Sequence, residues 1–343
     1  MRVKIEDVCM KGSSNLKQSD VVGKNGIYPV YGAAGYLGSI DSFKQSKPYV
    51  AVVKDGAGIG RAMLLPSNSS IIGTMQYLLP KDNILPEYLY YLIKAKHLEK
   101  YYSGATIPHI YFKDYKNEEF DLFSFEIQYQ IINKLKIIEK IIEKQKKEMD
   151  LLDELVKARF VELFGDPIIN DKGLITELLA NVSNLKAGKA IKTGELSENN
   201  DTNSLFPCFG GNGIRGYINR YTHDGTFPII GRQGALSGNV NFAKGKFYAT
   251  EHAIVVTPKV ELDDTWFFYC LKYLDLKRFQ TGAAQPGVSV EKLNNISIPL
   301  PNYKSQLYFS DFVKEVDKSR LEVQKSLKKT QELFDSLMQK YFG

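Results

Sequence analysis

The chain is poor in the side chains that redox and metal chemistry use. Among 343 residues there are three cysteines, Cys9, Cys208 and Cys270, an odd number with no Cys-x-x-Cys spacing. They read as small buried apolar residues in a reducing compartment, not as ligands or disulfides. The four histidines, His97, His109, His223 and His252, are scattered without metal spacing. No run of about 18 apolar residues could span a bilayer. The opening MRVKIEDVCMKG lacks the apolar core of a signal peptide. The expected location is the cytoplasm, away from membranes.

Catalytic signatures are also missing. DGAGIG (55–60) invites a nucleotide-loop reading, but a P-loop needs a following Gly-Lys-Ser/Thr and Arg61-Ala62 stands there. A glycine turn that brings backbone close to something is the better reading. No Asn-Pro-Pro-Tyr-like tetrad, PD…ExK pattern or nucleophile elbow occurs. The sequence therefore shows no catalytic set of its own and no metal site.

What the chain does have is itself, twice. YPVYGAAGYLGSIDSF begins at Tyr28, and FPCFGGNGIRGYINRY begins 178 positions later at Phe206. At the same offset Gly56, Ala57 and Gly60 face Gly234, Ala235 and Gly238. Likewise Gly104, Ala105 and Pro108 face Gly282, Ala283 and Pro286. The register holds from Tyr28 to the C-terminus, and only the segments before Tyr28 and Phe206 need gaps. Such self-similarity outranks any single motif. Glycines, prolines and aromatics recur while the polar residues between them differ, as two copies of one scaffold facing different targets would show.

After Phe125 each repeat changes character. The next 39 residues of the first copy contain no glycine and no proline, which predicts a helix roughly 58 Å long at ~1.5 Å per residue. Ile131, Leu135, Ile138, Ile142, Met149, Leu152, Val156 and Leu163 follow a heptad seam, interrupted by Gln145 and Arg159. The second copy places Phe309, Val313, Val316, Val323, Leu327, Phe334 and Leu337 on the matching seam. So long a stripe needs a long partner, and two equivalent repeats favour an antiparallel coiled coil with pseudo-two-fold symmetry. A second apolar row (Ile132, Ile141, Leu151, Leu155) is wider than one seam requires and suggests a docking protein.

The remaining segments are rich in glycine and proline, with short apolar runs such as YVAVV (49–53) and HAIVVTP (252–258), each followed by a short amphipathic helix. The expected class is α+β. It comprises two mixed, mainly β domains (1–123 and 166–301), each followed by a long helix (124–165 and 302–343).

That order of parts resembles the specificity subunit of type I restriction-modification enzymes. The aromatic-Pro-x-aromatic-Gly stretches at 28 and 206, GRQGALSGNV, ATEHAIVV and the Gly-Ala-x-x-Pro turns carry the resemblance. It implies two target recognition domains reading a bipartite site on double-stranded DNA, with the helices as the ruler between half-sites. It also implies two methyltransferase subunits that bind S-adenosylmethionine, no cofactor in this chain, and a motor-nuclease subunit as a further partner. Base edges are read by Arg, Lys, Asn, Gln and similar donors. On the glycine-flanked turns the candidates are Lys54, Arg61, Gln76 and His109 in the first domain. In the second they are Arg215, Asn219, Arg220, Arg232, Gln233 and Gln285. The rival readings are a type II-like (fused or orphan) methylation system and a scaffold that binds no DNA.

Overall fold

The computed structural model describes residues 1–104, 108–200, 205–282 and 286–343. The chain packs as two compact units, one of Met1–Lys147 with Gln324–Gly343 and the other of Glu148–Val323. The long helices run Phe125–Phe164 and Tyr303–Phe342, so each contributes residues to both units.

The repeat found in the sequence is a repeat of structure, element by element. Tyr28–Gly32 and Gly35–Ile40 correspond to Phe206–Gly210 and Gly213–Ile218, with a bulge at Val30/Tyr31 matched at Cys208/Phe209. The short helix Pro86–Ala95 corresponds to Asp264–Tyr273. Each is followed by a left-handed residue (His97, Asp275) and one tight helical turn. Before Tyr28 the spacing slips by four residues, so that Ile5–Val8 answers Leu179–Val182. There Cys9 Sγ donates to Ile5 O and Ser183 Oγ to Leu179 O, the same bond made by different atoms.

In the first unit, besides the two-stranded pair of Arg2–Lys4 with Glu119–Asp121, the strands form a four-stranded antiparallel sheet and a separate three-stranded one. Tyr49–Val53 is buried along its whole length because both faces are covered. Val50 and Val52 enter the core shared with the helices, and Tyr49, Ala51 and Val53 enter a second one. In the second unit the two sheets merge into one of six strands. The cause lies in Val240–Ala249, ten residues long, which pairs with His223–Gly231 and also with Phe206–Gly210. Its counterpart in the first unit is split into Ala62–Leu65 and Ser70–Ile71. Between them Pro66 lacks the ladder N–H and Asn68 takes φ 54°, so the strand cannot continue.

In each unit, opposite ends of the two long helices enter one core. Ile131, Ile132, Leu135, Ile138 and Ile142 join Phe334, Met338 and Phe342. Val156, Phe160 and Phe164 join Phe309, Val313 and Val316. In the second unit Asp153 pairs with Arg320 at 2.7 Å, and the Arg159 guanidinium stands 5.6 Å from the Phe312 ring centroid. Numbers rise on one helix as they fall on the other, which is the antiparallel sense.

The buried face is wider than the heptad reading. Leu163 and Leu337 are half-buried and pack against the two cores, beside the buried Phe160, Phe164, Met338 and Phe342. From Val156 and from Phe334 the buried positions step by four, the face of a helix that packs against a globular core as well as against a second helix. Ile132 is also no docking residue, since it lies buried in the first unit's core. Met149, Leu152, Val323 and Leu327, near the middle, are half-buried.

The glycine turns show why the repeat keeps them. A Cβ on Gly60 (φ +82°) would sit 2.5 Å from Glu99 N, and one on Gly238 (φ +84°) 2.7 Å from Lys277 N. Gly23 has a similar φ of +80° but open space around it. Gly60→Ala is therefore expected to destabilise by about 2–4 kcal/mol, combining backbone strain with a clash, and Gly23→Ala by only ~1 kcal/mol. Urea melts of the two variants compare them directly; equal losses would show that the contact with Glu99 is unimportant.

Candidate nucleic-acid interface

In both units the segment at Pro108 or Pro286 is clipped to the glycine turn by the same pair of backbone bonds. Gly56 N donates to Pro108 O at 3.0 Å and Ile110 N to Lys54 O at 2.9 Å. The second copy repeats both, Gly234 N to Pro286 O and Val288 N to Arg232 O, each at 2.9 Å. Ser103 and His109 close the first loop by paired backbone bonds, as Thr281 and Gly287 close the second. A common frame thus presents whatever side chains the sequence supplies.

In the first unit those side chains line a cleft of ≈ 400 Å³ that includes Lys11, Lys54, Gln76, His109, Tyr111 and Lys113. Lys54 lies 3.5 Å from Asp55, and His109 Nδ1 rests against the same carboxylate. The Tyr111 ring stacks on His109 at 5.4 Å with the Lys113 ammonium 5.3 Å from its centroid. Gln76 Oε1 accepts from Tyr115 Oη at 2.9 Å. Burial pushes the Tyr115 phenol far above its ordinary pKa, so it stays a donor. That bond fixes the amide of Gln76 and leaves Nε2 as a donor that no described residue engages. Three ammonium groups, an imidazole, an exposed aromatic face and a fixed amide are the equipment for phosphate and base-edge contact.

The second unit uses the frame differently. At positions equivalent to the first cleft, Arg232, Gln233, Gly287, Val288 and Ser289 surround a hollow of only ≈ 170 Å³. Gln76, His109 and Lys113 have become Ile254, Gly287 and Glu291. A larger cleft, ≈ 610 Å³, is also lined by Gln233 and includes Asn212, Arg215, Leu236 and His252. There Gln233 Oε1 meets His252 Nδ1 at 2.8 Å, and Asn239 Nδ2 donates to Asn212 Oδ1 at 3.1 Å.

Of the ten candidate readers, Lys54, Gln76 and His109 share the first cleft, and Arg215 and Gln233 the second. Arg232 adjoins Gln233, with Nη1 donating to Glu251 O at 3.3 Å. Arg61 and Asn219 are exposed and line neither cleft. Arg220 is held by its own domain, 2.6 Å from Glu195 and with its guanidinium 5.5 Å from the Tyr248 centroid. Gln285 lies outside the described residues. Sequence reasoning missed Lys11, Tyr111, Lys113, Asn212 and His252. Tyr111 and Lys113 were open to detection, two and four residues past His109, as the N-cap and second residue of the short helix Phe112–Tyr115. Lys11 was not, because only strand pairing with Met75–Pro80 brings it there.

Along the long helices Ile141, Leu151 and Leu155 are 40%, 51% and 46% exposed. Among the described residues no helix is long and apolar enough to cross a membrane, and no group of His, Cys, Asp or Glu could hold a metal ion.

Known proteins share this arrangement. The model of the type I restriction modification DNA specificity domain matches residues 1–149 and again 178–333. The type I restriction enzyme EcoprrI specificity subunit of Escherichia coli is 40% identical over 139 residues, 40% of this chain and 35% of that protein. The MjaVIII specificity subunit of Methanocaldococcus jannaschii is 23% identical over 338 residues, 83% of this chain and 77% of its own. The chain thus spans about a third of the length of the first curated relatives it matches. Among solved structures, the S subunit of the type I restriction-modification system from M. genitalium superposes with a TM-score of 0.66 at 19% identity. That match covers 100% of this chain and 96% of the other. A chain from work on complex assembly and conformational transition of the type I R-M system gives 0.59 at 15% identity, covering 100% and 97%. At these identities the structural likeness is one of fold. With both repeats matched by one family model, the chain belongs to the type I restriction modification DNA specificity family and carries its domain twice.

Proposed function

We propose that this chain is the DNA-specificity subunit of a type I restriction-modification complex. Each unit reads one half of a bipartite target, and the long helices, paired as a coiled coil, set the distance between halves. Methyltransferase subunits carry S-adenosylmethionine and the chemistry, and dock along the exposed apolar positions Ile141, Leu151 and Leu155; motor-nuclease subunits complete the restricting form. One observation carries this reading. The two units share the hairpin Tyr28–Gly32 and Gly35–Ile40 with Phe206–Gly210 and Gly213–Ile218, and the left-handed glycines 35, 38, 56, 60 and 104 with 213, 216, 234, 238 and 282, yet the side chains on that frame differ cleft by cleft. Duplicated scaffolding with divergent polar clefts is what two unlike half-sites require.

Binding built on phosphate contacts weakens linearly in log–log salt dependence, with a slope of about −0.9 per contact. The full chain, with its methyltransferase partner, should show a slope of that kind and a preference for one split sequence over random duplex. Affinity that ignores both salt and sequence would favour the scaffold reading.

A further inference from the structure

Glutamine is the one polar residue that both repeats bury at the foot of the long helix. Gln128 is fully buried and Gln306 is 2% exposed, and they are equivalent positions in the first helical turn. Gln128 Oε1 accepts from Leu85 N at 2.9 Å, while Nε2 donates to Phe123 O at 3.0 Å and Asn83 O at 3.1 Å. Gln306 repeats two of these three bonds: Oε1 accepts from Asp263 N and Nε2 donates to Pro301 O, both at 2.9 Å. Leu85 and Asp263 are the N-cap residues of the short helices Pro86–Ala95 and Asp264–Tyr273. Phe123 and Pro301 lie in the segments that lead into the long helices.

We propose that Gln128 and Gln306 are positioning residues that fix the angle at which each long helix leaves its recognition domain, and so govern how strictly the complex discriminates spacer length. This inference rests on the function proposed above. An amide has one acceptor and two donor hydrogens. Here it meets a backbone N–H on one side and backbone carbonyls on the other, so only one orientation satisfies all of them. A buried polar network that is fully satisfied selects a unique geometry. Apolar contacts around it hold the helix but do not choose its tilt, because packing tolerates small rotations that a three-way hydrogen bond does not. The lever amplifies any error. A tilt of about 10° at the foot of a helix ~60 Å long displaces its far end by ~10 Å, or about three base pairs. Neither residue touches DNA in this account; each acts through the helix it anchors.

The test uses the full chain produced with its methyltransferase subunits. The probes are duplexes carrying both half-sites, as mapped for the unaltered chain, at the preferred spacer and at one base pair more or less. Gln128→Met removes all three bonds at similar volume, and Gln128→Glu keeps the acceptor for Leu85 but loses both donors. Methylation of the off-spacer duplexes, relative to the preferred one, is expected to rise about tenfold in Gln128→Met and by less in Gln128→Glu. Base preference within each half-site should stay as it was. Gln306→Glu should act in the same direction from the other unit, and it provides the reading if a Gln128 variant does not fold. Folded variants that keep the original off-spacer ratio, whatever their loss of thermal stability, would overturn the proposal. If the unaltered chain directs no methylation to any split motif, the functional reading itself fails and this inference falls with it.

Discussion

Seven extra residues in both long helices should move methylation to sites whose half-sites stand about three base pairs further apart. The increment is ~10 Å at ~1.5 Å per residue, against 3.4 Å per base pair. The place for the insertion is the polar middle, after Lys147 in one helix and after Val323 in the other. There Gln145 Nε2 donates to Ser326 Oγ at 2.7 Å and Arg320 pairs with Asp153, so no large core residue is displaced. Seven residues preserve the faces because the repeat is close to 3.5 residues per turn. Lengthening one helix alone slides every partner residue by a heptad, pulling Phe334 or Phe309 out of its core, and should abolish activity. Restoration by the paired insertion is therefore the informative result. An unchanged spacer in the doubly lengthened protein would sink the ruler idea.

In the first cleft, Gln76 should behave differently from its lysine neighbours. Gln76→Ala removes a fixed amide donor, so discrimination at one base of one half-site should fall by about 10–100-fold while the other half-site is read as before. Gln76→Glu retains the acceptor for Tyr115 but exchanges the donor for a carboxylate, and should shift preference toward a base that offers a donor, cytosine. Lys113→Ala should instead weaken all sequences alike and reduce the salt slope by about one. Competition binding with each position of the half-site permuted separates these outcomes. Uniform weakening by Gln76→Ala would show that the cleft grips phosphates and reads nothing.

Much of this molecule is legible in its sequence because duplication makes each segment a check on its copy. Glycines at 35, 38, 56 and 60 and their partners mark backbone with φ between 80° and 155°, which only the turn geometry requires. The absence of glycine and proline after Phe125 gives both long helices. What was hidden depends on tertiary placement. The merging of two sheets into six strands turns on Pro66 and Asn68 interrupting a strand that looks equally apolar in both copies. The shift from heptad to four-residue steps at Val156 and Phe334 follows from what each stretch packs against, which periodicity cannot tell. The pairing of Arg220 with Glu195 and its place over the Tyr248 ring are likewise tertiary facts that the sequence does not announce. That the two clefts have different linings was also beyond any alignment of the repeats, since divergence at Gln76, His109 and Lys113 says that the polar groups differ but not which other residues line the second cleft.

The most direct test is modified-base sequencing of the host genome with the gene intact and with it deleted. Loss of methyl-adenine at a single split motif, and at no other, is the predicted result and would deliver both half-sites and the spacer together. Methylation that is unchanged at every motif in a host that expresses the chain and its partner would contradict the specificity role.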